Sequence, residues 1–316
     1  MRDAQKRNRR RRYRHGRSRW GHVVNVVRAG GIALGVALIL ASSTQAAHAG
    51  SLDPMISPLS MPTVNEDPRV STELRPMYMY TKISDDFVTK GGHYHVIAAQ
   101  LRLALTDRIG FIATKDGLIV LRPAEAVPED SGFANIAFGF KGVLYEDDAA
   151  AAIVSAGLRY EAPWGQHDVL QGHGKGLMNP FFSVAKGIGE LHLEGYTGPG
   201  LAISDGDSSH YDVALHADYR IADVFYPLVE FNWRYILRGG DRIPIDQEGF
   251  DLVNLGASKA GGNSVATIAF GGRWRVLDTL DFGTGAEFPV TERHDIFGWR
   301  VYTDLIWRPM GWSALF

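Results

Sequence analysis

The chain has 316 residues, no cysteine and a formal net charge of −2. Lack of cysteine excludes a disulfide framework and a thiolate metal site. The near-zero charge sums two unlike parts: the first 49 residues carry 11 of the 33 basic residues and one of the 35 acidic ones, leaving 22 basic and 34 acidic residues. The remainder, at −12, excludes nucleic acid as a partner of the exported chain.

The leader reads as an export signal. Arg9, Arg10, Arg11, Arg12, Arg14, Arg17 and Arg19 form a basic run, and an uncharged apolar stretch follows from Ala29 to Ala41. That stretch falls short of the roughly 20 residues a membrane helix needs. Ala47-His48-Ala49 then offers small residues on either side of one larger one. Residues 1–49 are therefore expected to be a signal peptide, cut between Ala49 and Gly50. No later apolar run is long enough for a helical span, so any membrane crossing must use strands.

Residues 50–72 contain Pro54, Pro58 and Pro62 without a clean period. They are expected to run extended ahead of the barrel, in the periplasm or inside the lumen. From residue 73 the pattern changes to alternation of apolar and polar side chains, the period of a two-faced strand. Twelve strands are expected, at 73–82, 93–105, 108–120, 132–145, 150–162, 177–187, 190–201, 209–221, 224–238, 263–276, 279–289 and 295–308. The clearest places Phe225, Pro227, Val229, Phe231, Trp233, Tyr235 and Leu237 on one face, and Glu230, Asn232, Arg234 and Arg238 on the other. Outer faces rich in large aromatics, repeated along the chain behind an export signal, predict an all-β, antiparallel transmembrane barrel over residues 73–316, embedded in outer-membrane lipid.

The links alternate in length. Thr106-Asp107-Arg108, Glu146-Asp147-Asp148, Gly187-Ile188-Gly189, Ala222-Asp223 and Leu277-Asp278 are tight and rich in Asp or Gly, as hairpin turns require. The others, such as 121–131, 163–176 and 239–262, are longer. Short periplasmic turns and long extracellular loops are the habit of outer-membrane barrels. Pro76, Pro180, Pro227 and Pro289 fall near strand ends, where a missing N–H is tolerated. The closing strand turns Phe297, Trp299, Val301, Thr303, Leu305 and Trp307 outward, and the chain ends in Phe316. A terminal aromatic resembles the signal read by the outer-membrane insertion machinery, an expected partner.

The stretch Gly285-Ala286-Glu287-Phe288-Pro289-Val290-Thr291, with Phe297, Arg300 and Leu305-Ile306, resembles the C-terminal hairpin of one family. This is the family of outer-membrane transporters associated with meta-pathway phenol degradation. The hairpin Leu101–Leu105, Thr106-Asp107-Arg108, Ile109–Thr114 is similar to that group as well. The resemblance implies passage of small molecules, apolar or aromatic, and carries no established catalytic residues.

Candidate functional residues are the charges expected to face the lumen. They are Asp212, His216, Asp218 and Arg220 on the eighth strand, and Glu230, Arg234 and Arg238 on the ninth. Arg273 and Arg275, Glu287, and Arg300, Asp304 and Arg308 follow on the last three. A turn centred on Asp223 would set His216 opposite Glu230 and Asp212 opposite Arg234. These charges either stiffen the interior as a paired network or line a path selective for anions or carboxylates. Inward Gly139, Ala185, Gly271 and Gly283 would leave space.

Enzyme and cofactor signals are weak. Ser208, Ser209, His210 and Asp212 are the nearest set to a lipid hydrolase, but lie too close in sequence for usable geometry. His93 and His95 share a strand face with no third ligand beside them. Gly172–Gly176 lacks the spacing and following helix of a phosphate loop. No cofactor is expected. The sequence therefore favours a barrel that passes small molecules over a structural or surface-interaction barrel with a blocked lumen.

Overall fold

The computed structural model describes Leu52 and residues Pro54–Pro309. The expected signal peptide, its cleavage site at Ala49 and Gly50, and Phe316 lie outside the described residues. A closed antiparallel barrel of twelve strands accounts for nearly all regular structure. In chain order the first two are β1 (Glu73–Ile83) and β2 (Gly92–Ala104). Two interrupted strands follow, β3 (Ile109–Lys115, resumed at Leu118–Pro123) and β4 (Asp130–Phe133, resumed at Ile136–Asp147). Next come β5 (Ala152–Ala162), β6 (Leu177–Ile188), β7 (Leu191–Ala202) and β8 (Ser209–Tyr219). The ring is completed by β9 (Phe225–Arg238), β10 (Ser264–Leu277), β11 (Leu280–Pro289) and β12 (Phe297–Trp307). Each strand pairs with its sequence neighbours, and β12 returns to β1 with Tyr80 opposite Val301. Closure removes the free edges along the barrel wall; the short rim piece Asp130–Phe133 alone among the described strands has a ladder on one side only.

The alternation seen in the sequence becomes inside and outside. On β9, Val229 and Phe231 are exposed whereas Glu230, Asn232 and Arg234 are buried. Around the barrel the outer face exposes Ile97, Phe140, Leu158, Phe182, Phe270 and Leu305. In water such a surface would drive aggregation; in a bilayer it is matched by lipid, and the closed ladder satisfies the backbone there. Among the described residues no helix is long and apolar enough to cross a membrane. The turns at 105–108, 148–151, 189–190, 220–224 and 278–279 share one rim, and the longer connections share the other.

Two strands expected to be continuous are broken. Thr114 and Lys115 are successive buried residues, so β3 bulges there. Asp116 then accepts the Ala99 N–H (3.0 Å) where the ladder lapses. Gly117 follows at φ +104, and a Cβ there would stand 2.4 Å from the Ile97 carbonyl oxygen. The bulge turns the Lys115 ammonium inward to Glu161 (2.6 Å). Proline placement also differs from expectation in one respect. Pro199 on β7 faces Pro180 on β6, and the pairing lapses between Met178–Leu201 and Phe182–Thr197, because neither ring nitrogen can donate.

Candidate functional site

The lumen is filled by two insertions, one from each rim. Leu52 and residues 54–72 form a hairpin that starts and ends at the short-turn rim. Leu52 and Met55 pack there on Val143, Ile153 and Ala185. The chain rises to a turn in which Val64 and Asn65 both donate to the Met61 carbonyl (3.0 and 2.9 Å), with Met61 at φ 49. It then descends to Thr72, whose hydroxyl accepts the Ala104 N–H (3.0 Å).

An extended segment without a sheet partner must find its hydrogen bonds elsewhere or lose stability. Here wall side chains supply them. Glu230 accepts the N–H groups of Leu59 (2.7 Å) and Ser60 (2.5 Å). Arg75 donates to Pro58 O (2.8 Å) and Gln100 to Pro62 O (2.7 Å). Arg159 donates to Val64 O (3.1 Å), Lys141 to Asp67 O (2.6 Å) and Ser155 to Pro68 O (2.5 Å). The hairpin's prolines, which include Pro68, reduce the number of donors needing partners.

Glu66 is its main charged anchor. Arg102 holds both carboxylate oxygens (3.0 and 2.7 Å), and Lys141 reaches one at 2.8 Å. Burial would raise the Glu66 carboxyl, but the two cations more than offset this and hold it down to about 2.

The second insertion is the loop 239–263 from the opposite rim. Its fold is organised by Glu248, which accepts the N–H groups of Gly249 (2.9 Å), Leu255 and Ala257 (3.0 Å), and the Ser208 hydroxyl (2.6 Å). The tip carries Phe250, Asp251, Leu252 and Val253, all buried. Asp251 meets Arg300 in a two-pronged pair (2.7 and 2.8 Å). Burial pushes the Asp251 carboxyl up; Arg300 reverses this and leaves it below the usual range. Lys115 donates to Leu252 O (2.7 Å) and Arg234 to Phe250 O. The two insertions touch where Thr63 donates to Asp251 O (3.1 Å).

The candidate charges divide by height. Around mid-lumen, Arg234 pairs with Asp212 (2.7 and 2.8 Å), and His216 bridges Glu230 (2.6 Å) and Asp218 (3.0 Å). The register puts His216 opposite Glu230 and Asp212 opposite Arg234, as the Asp223 turn requires. Arg273 and Arg75 share Asp304 (2.8 and 2.6 Å). Glu287 accepts from Thr267 (2.5 Å), Asn232 (2.9 Å) and Tyr302.

Four candidates lie instead at the rims and are partly exposed. Arg220 pairs with Glu190 and Asp223, and Arg238 with Asp205. Arg275 pairs with Asp281, and Arg308 with both Glu73 and Asp281. Parity places a residue inside or outside but not at a height, so these four are not mid-lumen groups. The space beside the inward glycines is already taken: a Cβ at Gly139 would stand 2.1 Å from Leu158 O, one at Gly271 2.5 Å from Thr284 O and 3.1 Å from Leu59 of the hairpin, and one at Gly283 2.5 Å from Asp304.

Sequence reasoning missed Glu66, Arg75, Arg102, Lys115, Lys141, Arg159, Glu248 and Asp251. Arg75, Arg102, Lys141 and Arg159 stood at inward positions of their strands, so the same parity argument could have found them. Nothing periodic marks Glu66 or Asp251. Of the hydrolase candidates, the Ser208 hydroxyl serves Glu248, and Ser209 accepts the Ala202 N–H (3.0 Å). His93 and His95 stand edge to face at 5.2 Å on the barrel wall beside Tyr80.

No family model and no curated protein matches the chain. Solved structures do. The COG4313 outer membrane channel from Pseudomonas putida F1 superposes with a TM-score of 0.58 at 12% identity, covering 80% of this chain and 99% of that one. The fold is that of an outer-membrane β-barrel. The KdgM porin gives 0.44 at 8% identity over 75% of this chain and 99% of its own. The outer membrane phospholipase A of Escherichia coli gives 0.38 at 9%, over 78% and 98%.

Proposed function

We propose that this chain is an outer-membrane channel for small molecules whose lumen is closed at rest by the hairpin and the loop. The observation that carries the reading is the chemistry of the hairpin's seat. It is held by Arg75, Gln100, Arg102, Lys141, Arg159 and Glu230, side chains that water can serve equally well once the hairpin leaves. A wall lined with such groups stays wet when emptied, whereas an apolar wall would exclude water and ions. The hairpin's Ile56, Leu59, Met61 and Val64 are buried against the wall as well, so the polar seat bears on what the lumen holds once the hairpin has left. Barrels of eight strands are filled by their own side chains, and twelve strands give room for more; here the extra room holds chain.

In this reading the short turns face the periplasm and the long loops the outside, in keeping with the habit of such barrels. The hairpin then hangs from the periplasmic rim by both ends, and the loop reaches in from outside. The resemblance to phenol-pathway transporters supports small apolar or aromatic molecules as cargo, and the C-terminal segment is the handle for the insertion machinery. A permanently blocked, structural barrel is the competing reading.

Planar-bilayer recordings separate the two. Chain lacking residues 54–67 should give stepwise conductance well above that of the whole chain, and removal of the loop tip as well should raise it further. Silence of the doubly shortened, folded barrel would favour the blocked reading. Orientation has its own test. Cysteine replacing Ser258 should react with an impermeant thiol reagent on intact cells, and cysteine replacing Asp223 should not.

A further inference from the structure

Resting on the channel reading, we propose that the pocket around Arg300 binds aromatic carboxylates, and that the loop tip Phe250-Asp251 occupies it as a built-in stand-in. Arg300 is buried on β12, and two hydroxyls of the wall help to aim its fork. Its Nε donates to the Thr81 hydroxyl (2.9 Å), and one terminal nitrogen reaches the Tyr94 hydroxyl (3.2 Å). The carboxylate it grips belongs to the loop, through bonds of 2.7 and 2.8 Å to the two Asp251 oxygens. Such paired, parallel bonds are the geometry by which arginine selects planar carboxylates.

Beside that carboxylate stands a ring. Phe250 lies with its centroid 5.0 Å from that of Phe297, and the Phe297 ring lies 4.9 Å from the Arg300 guanidinium carbon. The wall therefore offers a fork and an adjoining aromatic face, and the loop fills them with two successive residues. A benzoate-like anion carries both features in one molecule. A neutral aromatic of the same shape would leave a buried guanidinium unpaired, and a small aliphatic acid would leave the aromatic face unfilled. The nearby Glu287 is already engaged by Thr267, Asn232 and Tyr302. Selection should thus depend on charge and ring together.

The tethered tip competes with any free ligand, so the apparent affinity is lowered by the fraction of time the tip is bound. Calorimetry with benzoate on the folded barrel in detergent tests this. Asp251→Asn should bind benzoate at least about tenfold more tightly than the unaltered chain. In the Asp251→Asn background, benzyl alcohol and acetate should each bind at least about tenfold more weakly than benzoate. Adding Arg300→Lys, which keeps the charge and loses the fork, should cost benzoate a similar factor. If Asp251→Asn fails to give a barrel with heat-modifiable gel mobility, Phe250→Ala takes its place and the same order is expected. Equal binding of benzoate and benzyl alcohol, or absence of benzoate binding in every folded variant, would overturn the proposal. Conductance carried by inorganic ions after hairpin removal is independent of this pocket, so either idea can fail alone.

Discussion

The hairpin and the loop fill the same lumen but owe their shapes to different things. The upper part of the hairpin takes most of its hydrogen bonds from the wall, from Glu230 at Leu59 to Arg159 at Val64. Outside the barrel the hairpin's base would keep the bonds of Arg69 to Leu52 O, Met55 O and Asp67 and the Ser57–Asp67 bond, but between Pro58 and Glu66 it would have the turn at Met61 and little else. The loop carries its own organiser, since Glu248 gathers three backbone N–H groups and the Ser208 hydroxyl at the rim. It then reaches the wall through the Asp251–Arg300 pair and a few carbonyls. The upper part of the hairpin should therefore order only on docking, whereas the loop can swing with its fold intact. Such a division suits a gate with one tight closure and one adjustable cover.

Glu66→Ala should separate the two most sharply. It strands Arg102 and Lys141 in the lumen, and removing one partner of a buried ion pair costs about 3–5 kcal/mol. A cysteine replacing Ser60 should then be labelled by a thiol reagent orders of magnitude faster, while a spin label replacing Ser258 on the loop keeps its mobility. Asp251→Asn should act in the other direction and by less, about 2 kcal/mol for a bond to a charged group. The Ser258 label should loosen and Ser60 should stay protected. If either substitution freed both insertions equally, the two would be one unit and the contrast would fail.

Acidity should sharpen the contrast through opposite signs. The Glu66 carboxyl is held down to about 2, so its contribution is fully present above its ordinary value near 4.5 and is lost as pH falls through about 2. Hairpin protection should accordingly be flat from pH 8 to about 5 and decline below about 4. On the loop side, burial pushes Asp295 up to about 6 against the pull of Arg293. A carboxyl raised in the folded state favours that state more as pH falls from above 6 toward its ordinary range near 3.8. The segment 290–296, which donates from Ile296 to Glu248 O (3.2 Å), should tighten on mild acidification. Hydrogen exchange of these two segments from about pH 7.5 down to about 3.5 is the check, and the smallest of the expected effects.

The barrel was legible because a period of two is a strong signal repeated twelve times, and because the tight Asp223 turn fixed the β8–β9 register. Its irregularities were not. The break at Asp116-Gly117 serves to aim Lys115 at Glu161, a residue far along the chain, and the facing Pro180 and Pro199 matter only once pairing is known. The contents of the lumen were least legible. Residues 52–72 have no period because they form no sheet, so nothing local says that Glu66 meets Arg102 or that Leu59 meets Glu230. The same holds for Asp251, a loop acid whose partner lies on the last strand. Charge parity picked out Asp212, His216, Asp218, Glu230, Arg234, Arg273, Glu287, Arg300 and Asp304, all of them buried inside the barrel. It could not tell them from Arg220, Arg238, Arg275 and Arg308, which share the face but sit at the rims.

The absence of native cysteine allows the hairpin to be locked and unlocked at will. Ser60 and Asn232 already approach within 2.8 Å through their side chains. With Ser60→Cys and Asn232→Cys joined by oxidation, the hairpin cannot leave the wall. The most direct measurement is the bilayer conductance of this doubly substituted chain before and after reduction. The account predicts a closed barrel when oxidised and discrete openings once the bond is reduced. Identical conductance in the two states, whether silent or open, would contradict a gate formed by the hairpin.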